Sequence, residues 1–261
     1  MTARQSPAAS RMPAAAGIVI RHCHGLEEFQ ACLEVEKLVW QAAEIDVVPL
    51  PLFVVASETG GQVLGAFDGE KVVGFTLALA GVRQGQLFLH SHMTAVVEGY
   101  RDRGIGRELK LFQRQDALAR GIELVEWTFD PLEIRNAYFN LVRLGAIARR
   151  FLPNCYGITT SPLHGGLPTD RLVAEWWLRS PRVERILSGA EPPRPAAPET
   201  PRIHVPAGMD QMRENDRARA AQVQTAVREA FQAWFARGYA ATFVERTADG
   251  GDYLLEPWTG A

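Results

Sequence analysis

The stretch HMTAVVEGYRDRGIGRELKLFQRQDALA, residues 92–119, decides how the rest of the chain is read. It opens as an apolar strand and passes through Arg101-Asp102-Arg103-Gly104-Ile105-Gly106-Arg107. It leaves as a helix with Ile105, Leu109, Phe112 and Ala119 roughly on one face. Gly104 and Gly106 let the backbone approach a ligand without an intervening Cβ, and both tolerate unusual φ values. N–H groups of the turn and first helical turn then point outward into an anion-binding concavity, helped by the helix dipole. Arg101, Arg103 and Arg107 add permanent charge with donors suited to phosphate. Such a turn can cradle a pyrophosphate; the bland alternative is a strand-to-helix loop with solvated arginines.

The flanking segments supply context. A strand from Leu87 to Val97 precedes the turn, with Phe88, His90, His92, Thr94 and Val96 expected on one side by the period of two. Imidazoles titrate near neutrality, so His90 or His92 could take a proton from an attacking ammonium, directly or through water. Hydrogen-bonded core or rim histidines are the alternative. The next strand, from Ile122, ends in Trp127-Thr-Phe-Asp130-Pro131, and Asp130 stands at a strand end where α/β ligands usually sit. A capping or turn role for Asp130 is the competing reading.

Arg101-x-x-Gly104-x-Gly106, preceded by Val96-Val97, resembles the acyl-CoA-binding motif of the GNAT superfamily of N-acyltransferases. The helix from Arg135-Asn136-Ala137 to Arg143-Leu144-Gly145-Ala146 resembles that superfamily's following helix, and the resemblance covers about residues 17–156. The whole chain also looks like a family of uncharacterised predicted acetyltransferases of similar length. Neither a Rossmann nor a P-loop fingerprint is present. The resemblance implies an α/β chain of α+β type with a mixed, splayed central sheet flanked by helices, and acetyl-CoA or another acyl-CoA lying in the splay. It implies that backbone amides at Val96 and Val97 hold the acyl and pantetheine groups. Arg101, Arg103, Gly104, Ile105, Gly106 and Arg107 would hold the pyrophosphate, with Asn136 and Arg143 contributing from the helix. Some members carry a base about eleven residues before the first motif Arg, which is His90 here. The usual acid Tyr position is Leu141, a departure that leaves Tyr138 or no strong acid at all, since a thiolate needs little help near neutral pH.

The expected activity is transfer of an acetyl or similar short acyl group to a primary amine of a small molecule or amino acid. A silent acyl-CoA-binding module, or a succinyl-CoA-dependent amino-acid N-succinyltransferase, stands beside it. His164 and Asp170, in the turn-rich Ser161–Asp170 loop, are candidates for acceptor recognition, against a plain surface connection. His164-Gly-Gly lacks the Gly-x-Ser-x-Gly elbow of an esterase.

Composition narrows the classes further. Of 261 residues, 47% are hydrophobic and 22% charged, ordinary globular values. A net charge near −2 leaves no footprint for nucleic acid. Cys23, Cys32 and Cys155 have neither metal nor disulfide spacing, and no metal is expected. No apolar run reaches the ~18 residues of a membrane span, so no membrane partner is expected and a cytoplasmic location is. The expected organisation is a disordered tail (1–16), an acyltransferase domain (17–189), a Pro-rich linker (190–202) and a C-terminal extension (203–261). The extension reads as a helix from Met209 to Arg237 and a hairpin, packing on the main domain or on a second subunit as a homodimer.

Overall fold

The computed structural model describes residues 12–13, 17–41, 43–195 and 199–258, and the chain divides between Ile122 and Glu123 into two units. The expected tail, 1–16, lies outside the described residues except for Met12–Pro13, a short strand β1 opposite Val19 and Ile20.

The first unit orders its strands β1, β2 (Ile18–His22), β3 (Gln62–Asp68), β4 (Lys71–Arg83) and β5 (Gln86–Val96), all antiparallel neighbours. Asp68-Gly69 closes the β3–β4 hairpin as its turn chemistry demands, with Gly69 at φ 59°. One sheet face is covered by α1 (Gly25–Trp40) and α2 (Leu50–Glu58), the other by α3 (Ile105–Ala119). Alternation along β4 sorts the side chains. Phe75 and Leu77 pack with Phe29, Cys32 and Phe53 of α1 and α2, whereas Val73 packs with Ile105, Leu109 and Phe112 of α3.

The β5 strand does not keep one phase. Met93 pairs with Leu77 and Ser91 with Ala78, so His92 is an extra residue and the strand carries a β-bulge there. Paired residues share a face. His90, opposite Leu79, therefore lies on the α1/α2 face, while Thr94, opposite Thr76, has crossed to the α3 face and its hydroxyl lies 3.1 Å from that of Thr76. The expected common face for Phe88, His90, His92, Thr94 and Val96 is thus corrected beyond the bulge: Thr94 and Val96 lie on the α3 face, and Val96 packs against the α3-side core.

The second unit orders its strands β6 (Leu124–Phe129), β8 (Arg171–Trp177), β7 (Ile147–Leu152), β10 (Tyr239–Thr247), β11 (Gly250–Pro257) and β9 (Arg202–Pro206). These ladders are antiparallel too. Glu126 and Glu175 stand directly opposite each other, both buried, which alone would be destabilising. A register shift at Ala148/Arg150 brings two arginines to them: Arg150 reaches Glu126 (2.5 Å) and Glu175 (3.2 Å), and Arg149 reaches Glu175 (3.0 Å). Three short helices, α4 (Ile134–Tyr138), α5 (Pro181–Leu187) and α6 (Met209–Asn215), and the 19-residue α7 (Arg217–Phe235) complete the unit.

Three expectations change here. The helix expected over 135–144 widens into a π turn at Phe139–Arg143, where Leu144 N–H donates to Phe139 O (3.0 Å). The helix expected over 209–237 is two helices, because Asp216 leaves helical geometry and caps α7, its carboxylate accepting from Arg219 N–H (3.0 Å). Strand β9, with Ile203 and Val205 turned inward, is a further element at the sheet edge.

Candidate active site

After β5 the chain makes a 3-10 turn at Glu98–Tyr100 and then bends through Asp102 (φ 62°) and Gly104 (φ 82°) before α3 begins at Ile105. Gly104 is required by that positive φ. Gly106 is not: among the described residues, a Cβ built on either glycine meets no atom within 4 Å apart from its chain neighbours and its own helix backbone, so the space above the turn is open. Ile105 is buried in the α3-side core and anchors the helix start. The carbonyl of Gly104 accepts from Arg107 and Glu108 (2.9 and 3.0 Å), and N–H groups of a first helical turn lack the i−4 acceptors found further along. Arg101 and Arg103 are exposed; Arg101 Nε donates to Val96 O (3.2 Å) and Arg103 lies over the Tyr100 ring at 5.0 Å. Tyr100 Oη donates to Asp68 (2.6 Å), which ties the turn to the β3–β4 hairpin, and Arg107 lies 3.8 Å from Glu108.

The backbone just before the turn separates Val96 from Val97. Val97 N–H donates to Val73 O (3.0 Å), so that amide is already used by the sheet and is withdrawn as a ligand donor. Antiparallel ladders alternate, so the N–H and C=O of Val96 point to the other edge of β5. Of the two expected backbone donors, only Val96 is directed away from β4.

His90 and His92 are half-buried with ring centroids 6.0 Å apart. Burial lowers the pKa of His92 below the ordinary imidazole value, which favours the neutral ring able to accept a proton. Beneath the bulge, on the α3 face, lies a polar chain that the expected site omits. Lys110, 3% exposed, donates from Nζ to Ser91 Oγ (2.8 Å) and Gln113 Oε1 (3.0 Å). Gln113 donates to Gln62 (3.1 Å), Gln62 to Asp116 (2.6 Å), and Asp116 accepts from His22 (3.1 Å) and Arg120 (3.0 Å). Burial brings the Lys110 amine down to about 7. No motif marks Lys110; it follows Leu109 at the margin of the apolar stripe, where a lysine usually reaches water.

In the second unit the expected acceptor-site residues are consumed by the fold. Asp130 accepts from Leu132 N–H (2.8 Å) on one oxygen and from buried Arg213 (2.7 Å) on the other, which is the turn role its position before Pro131 allowed. Asp170, 1% exposed, accepts from Asn154 N–H (2.9 Å) and from Arg228 (2.7 Å). Arginine can only donate, so the contact from Arg171 Nη2 (2.7 Å) makes His164 Nε2 the acceptor, and Nδ1–H then donates to Thr159 (2.6 Å). Thr169, Gln224 and Arg217 tie the same loop down through Gly157 O, Pro168 O and Gly166 O. The Ser161–Asp170 loop is thus stapled within its own unit.

Asn136 and Arg143 are exposed, whereas Leu141 is fully buried within the π turn and cannot be an acid. Tyr138 is half-buried with Arg246 6.0 Å over its ring. A polar group near the β6 end that the sequence did not mark is exposed Tyr156, whose hydroxyl lies 2.8 Å from Thr128 Oγ1, with Arg171 5.7 Å over its ring. The strand period places Thr128, but only the return of the chain after β7 brings Tyr156 to it.

No family model and no curated protein matches the chain. Solved structures do. The smu.2055 protein of Streptococcus mutans UA159 is 20% identical over 61% of this chain and 99% of its own, with a TM-score of 0.51. Arabidopsis thaliana NAA60 in complex with acetyl-CoA is 14% identical over 61% of this chain and 99% of its own, with a TM-score of 0.50. A GNAT family acetyltransferase from Elizabethkingia anophelis with acetyl-CoA bound is 12% identical over 62% of this chain and 99% of its own, at a TM-score of 0.45.

Proposed function

For a chain that has the GNAT acetyltransferase fold, we propose acyl-CoA-dependent N-acylation: transfer of an acetyl or similar short acyl group to a primary amine of a small molecule or amino acid. The observation that carries it is the strand–turn–helix of residues 92–119, with open space over Gly104 and Gly106 at the start of a 15-residue helix and exposed arginines beside them. The pyrophosphate would take the N–H groups of the first turn of α3 and the donors of Arg101, Arg103 and Arg107.

The reaction is direct. His92 or His90 takes a proton from the acceptor ammonium, and the freed amine attacks the thioester carbonyl to form a C–N bond. Val96 N–H, turned away from β4, is the donor that would steady the oxyanion. The C–S bond breaks, the thiolate leaves on CoA, and the second amine proton goes to solvent. Because Leu141 offers no acid, protonation of the thiolate is left to water. Asp130, His164 and Asp170 have polar atoms engaged by arginines of the second unit, and the reading gives them no step.

Buried Leu141 also favours a second reading, an acyl-CoA-binding module without turnover. Isothermal titration with acetyl-CoA, succinyl-CoA and CoA, on the wild type and on Arg101→Ala/Arg103→Ala, tests the cradle. The wild type is expected to bind an acyl-CoA, and the double variant to bind it about tenfold or more weakly, the loss of charge-assisted phosphate contacts. No binding of any CoA species by the wild type would sink the proposal. Release of CoA thiol in the presence of amines separates an enzyme from a silent module.

A further inference from the structure

The polar chain beneath the β5 bulge does something that burial and packing do not require. Lysine is among the residues least often buried, and four methylenes with an amine are a poor substitute for leucine at a site that is 3% exposed. Its position identifies its use. Nζ meets the hydroxyl of Ser91 at 2.8 Å, and Ser91 sits between His90 and His92 at the point where β5 carries one residue more than β4. Ser91, opposite Ala78, is on the α3 face; His90, opposite Leu79, is on the α1/α2 face. A bulge breaks strict alternation and re-aims the side chains beside it, so a buried contact at Ser91 bears on where its neighbours point. Gln113, Gln62 and Asp116 hold the amine from behind (3.0, 3.1 and 2.6 Å links), so the contact is set by α3 and β3, not by the bulge itself.

We propose that Lys110 is a positioning residue: through Ser91 it locks the β5 bulge in the register that holds the His90 and His92 rings 6.0 Å apart. The same lysine lies on the first turns of α3, one turn beyond the glycine turn, so a single helix orders both the anion cradle and the histidine pair. The lock stands on the geometry of the first unit alone. Its catalytic consequence rests on the proposed role of a histidine as base.

The test uses the full-length chain and the variants Lys110→Met, Ser91→Ala and Ser91→Thr. Methionine keeps the length of the side chain in an apolar form, and threonine keeps the hydroxyl. The imidazole resonances of His90 and His92, assigned through single His→Gln variants, should shift in Lys110→Met and Ser91→Ala and return in Ser91→Thr. Turnover should fall about tenfold to a hundredfold in the first two, the usual effect of a small misplacement, with KM for acyl-CoA unchanged to within about twofold. Shifted resonances with unchanged turnover would uphold the lock and sink the histidine base. Unmoved resonances in a folded Lys110→Met, or in Ser91→Ala should the first variant fail to fold, would overturn the proposal.

Discussion

Glu36 shows how one residue can be placed by the sequence and explained only by its surroundings. Its position on α1 belongs to the buried stripe, and it is 2% exposed, with Oε1 accepting from Val48 N–H (2.7 Å) and Oε2 buried without a hydrogen-bond partner among the described residues. Other buried carboxylates here are met by arginine, as Asp170 is by Arg228 and Glu126 by Arg150. Burial raises the Glu36 pKa from 4.5 to about 7, against the lowering effect of the Val48 amide and Lys37. A folded-state pKa above the unfolded one means that the folded chain binds more protons between these values. The contribution of Glu36 to stability is then complete below pH 4.5 and lost as pH rises through about 7. Glu36→Gln keeps an acceptor for Val48 and removes the titration. Compared by urea unfolding at pH 5 and pH 8, the variant should gain on the wild type by about 2–3 kcal/mol as pH rises. An unchanged difference would show that Glu36 does not titrate in this window. Lys110 has the opposite sign: lowered from 10.5 to about 7, it makes the fold gain stability as pH rises between those values.

At the scale of elements, local signals placed most boundaries and failed where two readings of one stretch compete. The Ser180-Pro181 start of α5 formed as its chemistry demands, with Ser180 Oγ accepting from Val183 N–H (3.3 Å). The Val223, Val227, Phe231 and Trp234 stripe is helical as well, but the apolar period gives no hint that Asp216 interrupts the run. An aspartate inside a helical pattern is either a solvated side chain or a cap, and the choice depends on whether the chain turns there. Asp216→Ala should cost about 1 kcal/mol, measured as a shift in the denaturant midpoint, with Asp216→Asn close to wild type. Equal stability of the alanine variant would remove the cap from the account. The π turn over Phe139–Arg143 was not legible either, since it is sustained by distant partners: Trp176 Nε1 donates to Leu144 O (2.8 Å), and Gly145, at φ 82°, is closed in by Ile186 and Val183.

At the scale of the whole molecule, residues 203–261 are part of the second unit's sheet and core. Ala241 pairs with Ala148 of β7, Phe231 stacks on Phe151 (5.9 Å), and buried Tyr253 donates to Pro131 O (2.7 Å). A chain ending at residue 201 would expose Phe151 and strand buried Asp170 without Arg228, and an unpaired buried charge costs several kcal/mol. Such a chain should be insoluble or lack a cooperative transition in its circular dichroism; a soluble, cooperatively melting product would contradict this. The sequence by itself determined the strand–glycine turn–helix, because turn chemistry, apolar period and basic residues lie within thirty positions of one another and act locally. It also determined the α/β class, through periods that each element carries alone. Only the tertiary structure decided which polar groups face outward and which are spent on the fold. Asp130 and Asp170 found arginines from elements far along the chain, His164 found Arg171 seven residues on, Val97 N–H found β4, and Lys110 was drawn under a bulge whose existence depends on the register between two strands. The physical reason is the same in each case: a polar side chain is satisfied by whatever donor or acceptor folding brings within about 3 Å of it, and its identity alone does not name that partner.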